Sequence, residues 1–365
     1  MVSVERIDGN PVVEASDDLG TIVNHPSVIE VPAWVDDPLG NYYLYFSHKY
    51  GDYIRLAYAD DVEGPWNVYG PGTLHVDDTP FIGHIASPDV HVDNEKEVIR
   101  MYYHGETATR DLVFDAFEER EYRRDHYGFT RRSIPYRILF ETGRRAFNRI
   151  DRAQKRSASR DSASKSGEVA APDDEPSGMK NILRRTVPIP PAIQETRYVE
   201  SSDGVTFRDS SSIQGPSWMA VFECDGRRYA MGRDGYLYES DNTTDPFVRR
   251  RHLFENSRHF GVFVDGDRLE VYYSRPNEIP ESIYRATTDL SSGAEQWNFD
   301  ESELILCPET EYEGEDVPLD ASKIRSPAER KREVRDPKVF FDGSNKYLSY
   351  AAAGQSAIAI ARLIE

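Results

Sequence analysis

The chain has 365 residues, with 44 basic side chains against 64 acidic ones, giving a formal net charge of −20 and a pI near 4.9. So negative a body repels phosphate and excludes nucleic acid as its partner, and no apolar run approaches the ~18–20 residues needed to span a bilayer. The two cysteines, Cys224 and Cys307, allow one bridge at most, lack the spacing of a metal or redox motif, and read as buried thiols. MVSVERIDGN has neither the basic start nor the apolar stretch of a signal peptide, so a soluble, cytoplasmic protein is expected. Only nine of the 44 basic residues are lysine. Since self-repulsion at this charge is relieved by salt, the balance suggests a halophilic protein; the alternative is an ordinary acidic protein of an arginine-rich proteome.

In chain order, five units of similar design recur. The first, residues 25–66, runs from HPSVIEV through the aromatic strand NYYLYFS and the strand YIRLAYAD to a DVEGPW turn. The second opens with SPDVHVDNEKEVIRMYYHG at 87–105 and resumes as TRYVESSDGVTF at 196–207. The third spans 215–247, the fourth 259–290 and the fifth 336–363. In three of them a DG-type turn joins two β-rich runs, as in ECDGRRY, VDGDRL and FDGSNKY. Short strands at regular spacing suit a sandwich, barrel or propeller, and similar units of roughly 40 residues favour the propeller. The stretch 2–14 is placed to add a strand to the last blade and close the ring.

Prolines stand at the entrance of three units, in NHPSV, ASPDV and RDPKV. Proline is tolerated at the first residue of a strand and biases the residue before it toward extended backbone. The innermost strand of a propeller blade begins near the central channel, so residues beside these prolines are expected to converge on one axial pocket.

The predicted fold is therefore all-β, a five-bladed β-propeller over 1–108 and 194–365, interrupted in blade two by a basic insertion at 109–193. Within the insertion, 135–156 reads as a basic amphipathic helix and 157–178, poor in aromatic and branched apolar residues, as disordered. Such a helix suits an acidic partner or a membrane surface; the alternative is that it packs on the acidic body of its own chain.

HPSVI, NYYLYFS, IRLAYADDVEGPW, SPDVHVD and QETRYVESSDGVTF resemble the five-bladed β-propeller glycosidases, above all glycoside hydrolase family 43 and its relatives, over nearly the whole chain except the insertion. That resemblance implies a carbohydrate ligand and a pair of carboxyl groups flanking the scissile bond, one protonating the leaving oxygen and one activating water. It further implies a base Asp before the first-blade proline, an Asp after the second-blade proline that tunes the acid, and an acid Glu in an E-G-P context. Here the first slot holds His25, with Asn24 beside it; the second is kept as Asp89; the third holds Gln214, which has no acidic proton to give.

Three explanations follow from the substituted slots. His25 takes the base role while Asp336, before the fifth-blade proline, supplies a carboxylate; or the propeller binds sugar without cleaving it; or the alignment is shifted by a strand. Asp89, His25 and Asp336 are thus the catalytic candidates. Gln214, His84, His259, Arg335, Arg275 and His48, near strand entrances or on loops after them, are the substrate-binding candidates. No cofactor is assigned: a histidine cluster with Asp89 could hold a divalent ion, and the resemblance leaves an axial calcium open, but the spacing singles out no metal set and calcium prefers oxygen ligands. A third reading makes the protein a scaffold that works through its insertion.

Overall fold

A computed structural model describes residues 2–16, 19–20, 22–48, 51–107, 193–208, 210–242, 244–321 and 329–365. The helix expected at 135–156 and the disorder expected at 157–178 lie outside the described residues. Two short strands come first, β1 (Ser3–Arg6) and β2 (Val13–Glu14). Blade one follows with β3 (Val23–Glu30), β4 (Tyr42–His48), β5 (Tyr53–Ala59) and β6 (Asn67–His75). Blade two is β7 (Ile82–Asp93), β8 (Val98–Thr107), β9 (Ile193–Ser201) and β10 (Gly215–Pro216). Blade three is β11 (Met219–Cys224), β12 (Arg227–Gly232), β13 (Tyr236–Ser240) and β14 (Val248–His252). Blade four is β15 (Arg258–Asp265), β16 (Arg268–Ser274), β17 (Ile283–Asp289) and β18 (Glu303–Leu306). Blade five is β19 (Val334–Phe341), β20 (Lys346–Ala352) and β21 (Ala357–Ile364).

Each blade is an antiparallel sheet, and blade five takes its fourth strand from the N-terminus. β1 pairs with β21, Ser3 opposite Ile364, and β2 pairs with the start of the same strand. Between them Asn10 clamps the closure from both sides: its Nδ2 donates to the Ile360 carbonyl at 2.7 Å and its Oδ1 accepts from the Ile360 amide at 2.9 Å. The expected ring closure is present.

The aromatic run of β4 shows why the strands read as continuously apolar. Successive side chains of a strand point to opposite faces, and here both faces are covered by neighbouring blades. Tyr43 and Tyr45 pack with Ile85 and Met101 of blade two, while Leu44 and Phe46 pack with Ile358 and Ile360 of blade five. Three further clusters fill the remaining junctions, such as Phe222 and Tyr229 against Leu269 and Val271, and Met219 and Val221 against Tyr102.

Two expectations need correcting. GP at 215–216, read as the opening of the third unit, forms the outermost strand of blade two, paired with Glu195 and Thr196. A proline fits there because an edge strand can spare an amide donor. The cysteines are free, but partly exposed rather than buried.

Candidate active site

The five innermost strands share one irregularity at the axis. His25, Ser87, Trp218, His259 and Asp336 all have positive φ, between +50° and +60°. Three of these residues precede proline, so the extended backbone expected there is replaced by a left-handed turn. In blades one, two, four and five the strand register shifts at the same point, the mark of a β-bulge. A left-handed residue without glycine costs of order 1–3 kcal/mol and persists where the surroundings over-determine it. Bulges re-aim side chains, and here three of them, with the left-handed Trp218 that precedes β11, bring His25, Trp218, His259 and Asp336 together.

His25 Nε2 lies 3.7 Å from Asp336 Oδ1, and His259 Nδ1 is in direct contact with the same oxygen. The rings of His25 and His259 meet edge to face at 4.6 Å, and that of Trp218 stands 5.0 Å from His259 and 6.2 Å from His25. Gly261 permits the approach of the two strands: a Cβ there would meet the Pro337 carbonyl oxygen at 2.6 Å, so β15 and β19 run too close for any side chain. Behind the cluster Gln355 Nε2 donates to Asp336 Oδ2 at 2.8 Å.

Electrostatics around the cluster is set by buried ion pairs. Arg258, beside His259, bonds Glu281 through Nε at 2.8 Å and through a second close contact; Ser274 Oγ donates to the same carboxylate at 2.6 Å. Arg335, beside Asp336, is paired with Glu333. Burial lowers His25 to about 3; Asp336 opposes that shift, while the charges of His259, Arg335 and Arg258 add to it. The Asp336 carboxyl is held well below the ordinary range: burial works against its charge, and His25, His259 and Arg335 overcome it.

Asp89 belongs to a separate group. Its Oδ2 accepts from the Val221 amide at 2.7 Å, and its Oδ1 contacts Lys338 and lies 3.1 Å from His91 Nε2. Asp89 and Lys338 each stand two residues beyond the left-handed residue of their blade, a step of about 6–7 Å along a strand. Burial opposes the charge of Asp89, but Lys338 and His91 keep its carboxyl well below the usual range.

The other sequence candidates are spread more widely. His84 flanks the centre, 3.7 Å from Glu106 and 6.1 Å from the ring of His104, which in turn stands 5.3 Å from Trp218. Gln214 is fully buried, with its amide nitrogen 3.3 Å from the Ser212 and Thr244 carbonyl oxygens. Arg275 lies over the ring of Tyr284 at 3.9 Å. His48 accepts from Arg55 Nε at 3.3 Å. The structure therefore unites His25, His259 and Asp336 with Arg335 beside them, and leaves Asp89, Gln214, Arg275 and His48 outside that cluster.

Sequence reading missed Arg258, Glu333, Lys338 and His91. Only the two-residue spacing of Lys338 from Asp336, the same as that of Asp89 from Ser87, could have signalled one of them.

The axial calcium implied by the resemblance does not fit this donor set. Calcium takes six to eight oxygens, whereas two of the three groups meeting here are imidazoles.

Burial of histidines away from the cluster also predicts a pH response. His104 is held well below its ordinary value by burial first and then by nearby positive groups, and His48 is lowered to about 4 by burial and Arg55. Both folded-state values lie below the unfolded one, so the unfolded chain binds protons first and stability falls as pH drops below 6.5. Each group contributes about 1.4 kcal/mol per pH unit. Thermal unfolding from pH 6.5 to about 5 should show the fall, and because His25 is lowered as well, His104→Gln should shrink the slope by roughly a third. An unchanged slope would refute the assignment.

No family model matches the sequence. An uncharacterized protein of Acanthamoeba polyphaga mimivirus is 27% identical over 379 residues, covering 93% of this chain and 83% of the viral protein. Among solved structures, a protein described as a glycoside hydrolase from Parabacteroides distasonis matches with a TM-score of 0.57 and 10% identity, over 99% of this chain and 96% of its own. A glycosyl hydrolase from Bacteroides ovatus gives 0.55 and 10%, over 99% and 93%. The GH43 β-xylosidase/α-arabinofuranosidase CoXyl43 from a compost metagenome, solved with xylotriose, gives 0.51 and 10%, over 100% and 96%. The fold is that of the five-bladed glycoside hydrolase propellers. No described helix is long and apolar enough to cross a membrane.

Proposed function

We propose that this protein is glycoside hydrolase-like, taking an oligosaccharide or glycoside into its axial pocket and acting on it with His25, His259 and Asp336 in place of the usual carboxyl pair. The observation that carries this reading is the convergence of left-handed strand entrances from four blades on one centre. Asp336 touches the ring of His259, while that of His25 faces the same carboxylate at 3.7 Å. Trp218 is a partly exposed indole with the Arg233 guanidinium over its ring at 4.0 Å, and a partly exposed aromatic ring is a surface on which a sugar can pack. Asp89, one step along the strands, sets the charge beside the centre, and His84 and Arg335 complete the polar wall. Gln214, Arg275 and His48 remain candidates for more distant sugar contacts.

Gln214 favours a second reading, a carbohydrate-binding propeller without hydrolysis. An amide occupies the slot for the acid, wedged between two backbone carbonyls.

Hydrolysis of a panel of aryl glycosides and of xylotriose, with and without molar potassium chloride, separates the two. The leading reading expects wild-type activity that Asp336→Asn lowers at least ~100-fold, the scale of a lost general acid or base. An inert wild type that still binds sugar, with activity gained in Gln214→Glu, would establish the binding propeller and defeat the leading reading.

A further inference from the structure

Both ring nitrogens of His25 are buried at the axis without a hydrogen bond, and Nδ1 of His259 and Oδ1 of Asp336 have no hydrogen-bond partner beyond each other. Buried polar groups are almost always bonded, and an exception calls for a reason. The side chain of Asp336 is 1% exposed and that of His259 9%, so water does not satisfy them instead. One donor atom from each of the three residues lies within 4.8 Å of the others.

We propose that His25, His259 and Asp336 are the three protein ligands of a divalent metal ion that prefers imidazole nitrogen, of the zinc or ferrous class, with its remaining position open to the axial pocket. Two imidazoles and one carboxylate are the donors such ions take, and three protein ligands with an open position is the pattern of catalytic rather than structural sites. Ligand atoms about 2.0–2.1 Å from a tetrahedral ion stand roughly 3.3–3.5 Å apart; His25 Nε2 and Asp336 Oδ1 are close to this at 3.7 Å, and His259 Nδ1 and Asp336 Oδ1, in direct contact, move apart to admit the ion. The shell behind the ligands is built as a metal site requires, since ligating carboxylates are themselves hydrogen-bonded and Gln355 Nε2 donates to the second oxygen of Asp336. The neighbouring cations are countered too, Arg258 by Glu281 and Arg335 by Glu333. The three strand entrances that carry the ligands all adopt the left-handed conformation, so the backbone spends strain at the positions the ion would occupy. The 13% exposure of the His25 side chain marks the open side.

Calorimetric titration of chelator-treated full-length protein with zinc chloride, and separately with calcium chloride, tests this without reference to any sugar or activity. The expected result is one zinc per chain with submicromolar affinity, no calcium binding at the same site, and a loss of at least ~100-fold in His259→Ala and Asp336→Asn. Should those variants fail to fold, Gln355→Leu removes only the bond behind the carboxylate and is expected to weaken zinc about 10–100-fold. Absence of a zinc site, zinc binding unaffected by these changes, or tighter binding of calcium than zinc would overturn the proposal. Zinc binding in a protein inert toward every glycoside would uphold the metal site and defeat the hydrolase reading alone.

Discussion

Glu281→Ala is expected to destabilise the protein by about 3–5 kcal/mol, the cost of breaking a buried ion pair from one side. Glu281 is fully buried and accepts from both Arg258 and Ser274. Burial opposes its charge, and Arg335 and Arg258 together hold its carboxyl below the ordinary value. The pair links two parts of blade four, the strand entrance carrying His259 and the loop before β17, so its loss also releases the backbone that aims His259. Against a typical total stability of about 5–15 kcal/mol, the variant should unfold at a much lower denaturant concentration. Combining it with Arg258→Met should recover much of the loss, because the pair then disappears without leaving a charge behind. Additive losses in the double variant, or a single-variant cost below about 1 kcal/mol, would show that the pair does not organise the site.

Asp89→Asn should have the second-largest effect, about 2–4 kcal/mol, since it leaves Lys338 and His91 facing a neutral amide in the channel. This is also where a structural role and a catalytic one separate. Both oxygens of Asp89 are engaged within the protein, one by the Val221 amide and one by Lys338 and His91. Adding Lys338→Met to Asp89→Asn should restore stability measured by denaturant unfolding. If Asp89 tunes the axial centre by its charge, the stable double variant still loses activity; full activity in that variant would confine Asp89 to holding blades two, three and five together.

Much of the fold was legible because the same physical problem recurs five times. Each blade buries both faces of its central strand, so runs such as NYYLYFS and VIRMYYH repeat with turn residues between them. The N-terminal closure was legible for the same reason: a ring needs a strand to complete the last blade, and 2–14 had one to offer. The boundary at 215 was misplaced because the outer strand of one blade leads directly into the inner strand of the next, and Gly215 and Pro216 look alike in either role.

For the site, proline marked His25 and Asp336, and position within the repeat marked His259. Trp218 has no proline beside it and stands outside the pattern that marked the others. The left-handed turn was invisible, because the residue before proline is expected to be extended and only the packing of five blades around one axis overrides that preference. Asp89 looked like a member of the same centre because it stands one residue past a proline. Two residues of strand rise separate it from the turn, and that distance places it with Lys338 instead. As pairs, Arg258–Glu281 and Arg335–Glu333 carried no sequence signal, and Arg335 was marked only by its place before Asp336.

The central claim is that ligand chemistry takes place at the axis, among His25, Trp218, His259 and Asp336. A crystal structure of the protein grown with xylotriose tests it most directly. The account predicts a sugar ring against the Trp218 indole with a hydroxyl or glycosidic oxygen within hydrogen-bonding reach of His25 or Asp336. A sugar bound elsewhere on the propeller, with these four side chains untouched, would contradict it.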